Sequence, residues 1–218
     1  MGQITVFAGG FGSGKSELAL NYAMSKQAAE HKTVLADLDL VNPYFASREA
    51  KDMLESQGIR VVAPRADLSF GDVPSIPGEI IGMLQQDNEM IVDLAGDEVG
   101  SLVLGYLKAF MQRKTIFYLV VNPYRPFSQN IESLREVKEL MEAAAQREFT
   151  AIISNPNLVK ETTLDTIRKG HSKVMTFSES LGIPVAYLTV EERFYHDLLN
   201  EYGDQLRALR LYLAPNWL

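Results

Sequence analysis

Short aliphatic runs recur along the chain at 3–8, 33–38, 59–63, 89–94, 115–121, 149–154 and 183–189, each rich in Val, Ile, Leu or Phe. Runs of this length without polar alternation suit strands buried on both faces, as in a parallel sheet. Between them, apolar residues fall at three- and four-residue steps over roughly 15–30, 47–57, 77–87, 99–112, 128–147, 162–181 and 192–213, which predicts helices. In the last of these the stripe is Phe194, Leu198, Leu199, Tyr202, Leu206, Leu209 and Leu213, read as a core-facing side. Strand and helix alternate throughout. The pattern predicts a doubly wound α/β fold, a mostly parallel sheet of about seven strands with helices on both faces. In such a sheet ligands bind beyond the carboxyl ends of the strands, so the loops that follow strands carry the chemistry.

Composition narrows the picture. Apolar residues make up 46% of the 218, spread evenly enough that no boundary divides the chain, and one domain over 1–218 is expected. A net charge of −7 argues against a nucleic-acid or anionic-membrane partner. The chain has no cysteine, which removes thiolate zinc sites, iron–sulfur clusters and thiol nucleophiles. His31, His171 and His196 lack metal-ligand spacing. The first residues lead into a strand-like run, Ile4-Thr5-Val6-Phe7-Ala8, with no basic segment before an apolar one, and a cytoplasmic protein is expected.

The sharpest signal is Gly9-Gly10-Phe11-Gly12-Ser13-Gly14-Lys15-Ser16, which matches G-x-x-x-x-G-K-[ST], follows the first predicted strand and opens the first predicted helix. Glycines let successive backbone N–H groups turn toward an anion, and the helix start behind them adds partial positive charge. Lys15 is expected on the β- and γ-phosphates of a nucleoside triphosphate, and the Ser16 hydroxyl on Mg²⁺. The spacing favours a mononucleotide over a dinucleotide.

Acidic residues end two other strands. Asp37 and Asp39 lie two residues apart at the end of the second, hence on one face, with Asp37 assigned to Mg²⁺ and Asp39 to an attacking water. The fourth reads Met90-Ile91-Val92-Asp93-Leu94-Ala95-Gly96-Asp97, an apolar run ending in an acid. Asp93 is expected to hold Mg²⁺ through a water and Gly96 to bring a backbone N–H near the γ-phosphate, while Asp97 suits the cap of the next helix.

Together, Gly9–Ser16, Asp37-Leu38-Asp39 and Asp93-Leu94-Ala95-Gly96 resemble the CobQ/CobB/MinD/ParA group of P-loop NTPases, over most of the chain. The resemblance implies ATP as nucleotide, Mg²⁺ as metal, action of the Asp-x-Asp pair at Mg²⁺ and the attacking water, and adenine recognition by an Asn at the end of a late strand. Asn155, in Ile152-Ile153-Ser154-Asn155, stands in that place, although Asn155-Pro156 also reads as a simple turn. Partitioning members of the group carry a second lysine near the start of the loop that reaches a dimer partner's nucleotide. Here that position is Gly10, with Arg48 and Arg125 as candidate substitutes.

The leading expectation is an ATPase switch. Lys15 and Ser16 hold the triphosphate, Asp39 positions water, and hydrolysis releases segments 40–50 and 96–101 toward a partner protein. A homodimer is compatible with the group's pattern. A ligase or kinase on a small molecule, and a binding module without turnover, stand as alternatives. The guanine signature Asn-Lys-x-Asp does not occur at the end of the sixth predicted strand, where Ser154-Asn155-Pro156-Asn157 stands instead, which favours ATP over GTP.

Overall fold

The computed structural model describes residues 2–38, 51–63, 78–96 and 98–213. Its strands are β1 (Ile4–Ala8), β2 (Thr33–Leu38), β3 (Arg60–Val62), β4 (Glu89–Leu94), β5 (Thr115–Val121), β6 (Ala151–Ser154), β7 (Val185–Glu191) and β8 (Leu206–Leu209). They form one sheet in the order β3-β2-β4-β1-β5-β6-β7-β8, and every pairing is parallel. The helices are α1 (Lys15–Ala28), α2 (Lys51–Ser56), α3 (Gly78–Gln85), α4 (Glu98–Leu107), α5 (Ile131–Ala145), α6 (Leu164–Leu181) and α7 (Glu192–Tyr202).

Every residue of β1 and β2 is buried, which is why these strands show no polar alternation. Alternate residues feed two cores. Val6, Ala36 and Val92 join one that α3, α4, α5 and α6 cover; Phe7, Leu35 and Ile91 join the other, against Leu18, Ala19 and Ala23 of α1 and Leu54 of α2. Within the first core Phe117 of β5 stacks on Phe149 with ring centroids 4.0 Å apart. A third cluster closes the far end, where Ile167 of α6 and Leu198 of α7 meet Leu188 of β7 and Leu206 of β8.

β1 lies between β4 and β5, and the chain leaves it in one direction for β2 and returns past it from β4 to β5. That reversal is the topological switch point, where the carboxyl ends of neighbouring strands part to leave a crevice. The loop after β1 opens into it.

The final predicted helix differs from what forms. Helix α7 stops at Tyr202, because Gly203 takes φ 52° and ψ −130°, outside the helical region. A single 3₁₀ turn, Gly203–Gln205, then leads into β8 as an eighth strand. Leu206 and Leu209 are buried as strand residues, whereas Leu199, placed on the same apolar stripe, is exposed. Among the described residues no helix is long and apolar enough to cross a membrane.

One buried histidine braces the site side of the sheet. The His171 imidazole of α6 lies 3.0 Å from Ser154 Oγ at the end of β6, edge-on to the Tyr202 ring at 5.2 Å. Burial holds its pKa below the ordinary 6.5, against the opposing pull of Glu201. As pH falls through the unfolded value of 6.5, the unfolded chain takes up the proton first. The contribution of this histidine is therefore complete above that pH and is lost below it. Urea unfolding of the wild type between about pH 7.5 and about pH 5 is expected to show a steeper loss of stability than His171→Gln.

Candidate functional site

β1 ends at Ala8 and α1 begins at Lys15, so Gly9–Gly14 spans the crevice as a compact loop. Gly14 is the residue preceding the helix, at φ 94°, and no side chain caps α1. An L-residue would be strained there, and a Cβ would also meet Asn155 Nδ2 at 2.3 Å. The Ser13 N–H donates back to the Gly10 carbonyl at 3.2 Å, which tightens the curl. Lys15 is buried, and its ammonium donates to the Gly10 carbonyl at 3.1 Å. The side chain thus folds back over the loop, where an anion seated on the N–H groups would meet it.

The acids converge on the same end. Asp37 and Asp93 are paired in register across β2 and β4, and Asp93 is level with Phe7 of β1. Both are fully buried, and both continue the row Leu35–Ile91 that faces α1. Two carboxylates side by side with no solvent contact are unfavourable unless cationic groups or a metal offset them. Gly96 follows directly, and a Cβ on it would stand 2.9 Å from Lys15 Nζ and 2.6 Å from the Gly9 carbonyl. The residues after β4 therefore pack on the phosphate loop itself. Among the described residues no group of three or more His, Cys, Asp or Glu side chains is gathered for a metal.

Asn155 is buried at the end of β6, and its amide is bonded on both sides. Nδ2 donates to the Ser13 carbonyl at 2.8 Å, and Oδ1 accepts from the Thr189 hydroxyl of β7 at 2.9 Å. One N–H and one oxygen lone pair of that amide remain for a ligand. Beside it lies a cavity of about 220 Å³, whose lining includes Gly12 and Gly14 of the loop and Leu209, Leu211 and Leu213. Whole-ligand pockets run to roughly 300–1,000 Å³, so this space matches only part of a typical ligand.

Position 10 has no room for a lysine. A Cβ on Gly10 would stand 2.5 Å from Phe127 Cβ, so the loop carries there the one residue without a side chain. Arg125, two residues earlier, lies against Gly12, with Cδ and Nε 3.4 Å from where a Cβ would stand, and borders the cavity. Phe11, at the tip of the loop, is 64% exposed.

The structure brings together Gly9, Gly10, Gly12, Ser13, Gly14, Lys15, Ser16, Gly96, Asn155, Asp37 and Asp93, with Phe11 outermost. Asp39, segment 40–50 with Arg48, Asp97 and the last five positions lie outside the described residues. Sequence reading did not single out Glu17 and Asn21 of α1, whose side chains hold Arg210, Tyr212 and Leu213 beside the cavity. An acid two residues after the lysine was the only visible sign of them.

No family model and no curated protein matches the chain. Solved structures do. MinD cell division protein from Aquifex aeolicus is 18% identical with a TM-score of 0.55, over 92% of this chain and 86% of that one. A nucleotide-binding protein in complex with ADP from Archaeoglobus fulgidus is 18% identical with a TM-score of 0.54, over 85% and 80%. The signal recognition particle 54 kDa protein from Aeropyrum pernix, in complex with GDP, is 16% identical with a TM-score of 0.54, over 86% of this chain. The chain spans only 41% of that protein. At such identity the likeness establishes the fold alone, a doubly wound α/β domain shared with these proteins.

Removing the Asn155 amide would leave the Ser13 carbonyl and the Thr189 hydroxyl without their bonds to it inside the protein. Asn155→Ala is expected to lower unfolding free energy by about 1–3 kcal/mol in the absence of any ligand, measured by urea denaturation.

Proposed function

We propose that this protein binds a Mg²⁺-nucleoside triphosphate, with a preference for ATP, and hydrolyses it slowly as a switch read by a partner protein. The observation that carries this reading is Lys15, buried over a glycine-walled loop at a helix start, beside Gly96 and the strand end that bears Asp93. A triphosphate on the loop would take the ammonium from the Gly10 carbonyl, and Gly96 would register the change because it packs on both.

Ser16, Asp37 and Asp93 offer only oxygen donors, the set a hard divalent cation takes, and the two buried carboxylates gain an offsetting charge from it. Mg²⁺ held there would neutralise charge on the β- and γ-phosphates. In hydrolysis the water oxygen adds to the γ-phosphorus and the bond to the β–γ bridging oxygen breaks, releasing nucleoside diphosphate and phosphate. Asp39, two residues beyond Asp37 in the sequence, is assigned the orientation of that water. Arg125 supplies a cation to the loop from within the same chain, where position 10 cannot carry a lysine.

The related folds hold ADP in one case and GDP in another, so the base is argued from residues alone. Leu158 stands where a guanine-reading carboxylate would be needed, which supports ATP.

Calorimetric titration of Mg²⁺-ATP and Mg²⁺-GTP tests the reading. ATP is expected to bind more tightly, and Lys15→Ala to weaken it by about 10²-fold or more. Asp39→Ala is expected to retain binding while phosphate release slows by about 10²-fold. Absence of binding by both nucleotides would overturn the proposal.

A further inference from the structure

The segment after β8 does not trail away from the molecule. It lies along α1, the helix that begins at Lys15, and is fastened by two side chains one turn apart on one face. Asn21 Nδ2 donates to the Arg210 carbonyl and the Arg210 N–H donates to Asn21 Oδ1, each at 2.9 Å. The Glu17 carboxylate accepts the N–H groups of Tyr212 and, at 3.1 Å, Leu213. Burial raises the Glu17 pKa, and those two N–H bonds oppose the rise.

The consequence is a wall. With the segment in place, Leu209, Leu211 and Leu213 line the cavity together with Gly12, Gly14 and Asn155. The lining thus combines hydrocarbon from the leucines with amide and charged groups of Asn122, Asn155, Asn157, Glu17 and Arg125, and it includes Gly12 and Gly14 of the loop. That combination suits a planar heteroaromatic ring with polar edges, joined to phosphates on the loop.

We propose that residues 209–213 are the apolar half of a nucleoside subsite, with the face of the base against Leu211 and Leu213, and that Glu17 and Asn21 are the positioning residues that hold this wall on the phosphate-loop helix. The inference rests on the phosphate reading above. It adds that base affinity depends on a clasp placed two residues from Lys15, so that occupancy by base and by phosphates is coupled through the first turn of α1.

Separating phosphates from base tests it. Titrations with Mg²⁺-ATP and with Mg²⁺-tripolyphosphate, which lacks the nucleoside, are made on the wild type, Glu17→Ala, Glu17→Gln and the double variant Leu211→Ala/Leu213→Ala. The wild type is expected to prefer ATP. Glu17→Ala and the double leucine variant are expected to lose that preference by about 10-fold or more, with tripolyphosphate affinity changed less than about 2-fold. Glu17→Gln, whose amide oxygen still accepts an N–H, is expected to fall between. The double leucine variant leaves α1 and its bonds untouched, so it reports on the wall even if Glu17→Ala loosens the helix. An unchanged ATP preference in that variant overturns the proposal, as does an equal loss of both ligands in it. A wild type that binds tripolyphosphate and ATP equally overturns it while the phosphate reading stands. Failure of the wild type to bind either ligand removes both.

Discussion

Everything at this site depends on how closely other backbone and side-chain groups approach the loop between β1 and α1. Phe127 occupies the space beside Gly10, the Asn155 amide presses on Gly14, and the residues after β4 press on Gly9 and Lys15 through Gly96. A protein interior at crystal-like density has little slack to absorb an added methyl group at such contacts. The loop is thus a shared surface on which β4, β5 and β6 all converge at their carboxyl ends. A loop held in one conformation follows from this crowding, since few alternative backbone paths fit among the neighbours.

Electrostatics sharpen the same point. Asp37 and Asp93 sit side by side in register on the α1 face, fully out of water, at the end of strands that are otherwise aliphatic. Hydrophobic burial of β2 and β4 is what holds these two acids near the loop. The buried Lys15 lies on the same side, and the loop and its acids form one charge-bearing layer above a hydrocarbon sheet.

Much of this was legible in the amino-acid order. Uninterrupted Val, Ile and Leu runs marked strands because both faces of the sheet are covered, and the glycine-rich stretch ending in Gly-Lys-Ser does join a strand to a helix. Asp37 and Asp93 stood out because an acid within an apolar strand needs a reason. Long-range partners were not legible. Nothing in Asn21 announces Arg210, and nothing in Phe127 announces Gly10, because each pair meets only through the fold. The eighth strand was hidden by a stripe at helical spacing: Leu206 and Leu209 are three apart, a spacing that also suits a short strand whose two ends are buried and whose middle is exposed. Gly203 decided between the two.

The Asn21 side chain pairs with Arg210 through one donated and one accepted bond to the main chain, as a peptide unit of a neighbouring strand would. A helix has in effect been given a single link of β-ladder. Because that link grips main chain and not a side chain, the identity of residue 210 is nearly irrelevant to it, whereas the count of residues back to the turn at Gly203 is not. At position 210 itself, chain length back to Gly203 is therefore under tighter constraint than side-chain identity, so related chains should tolerate substitution of Arg210 far better than an insertion or deletion between the two.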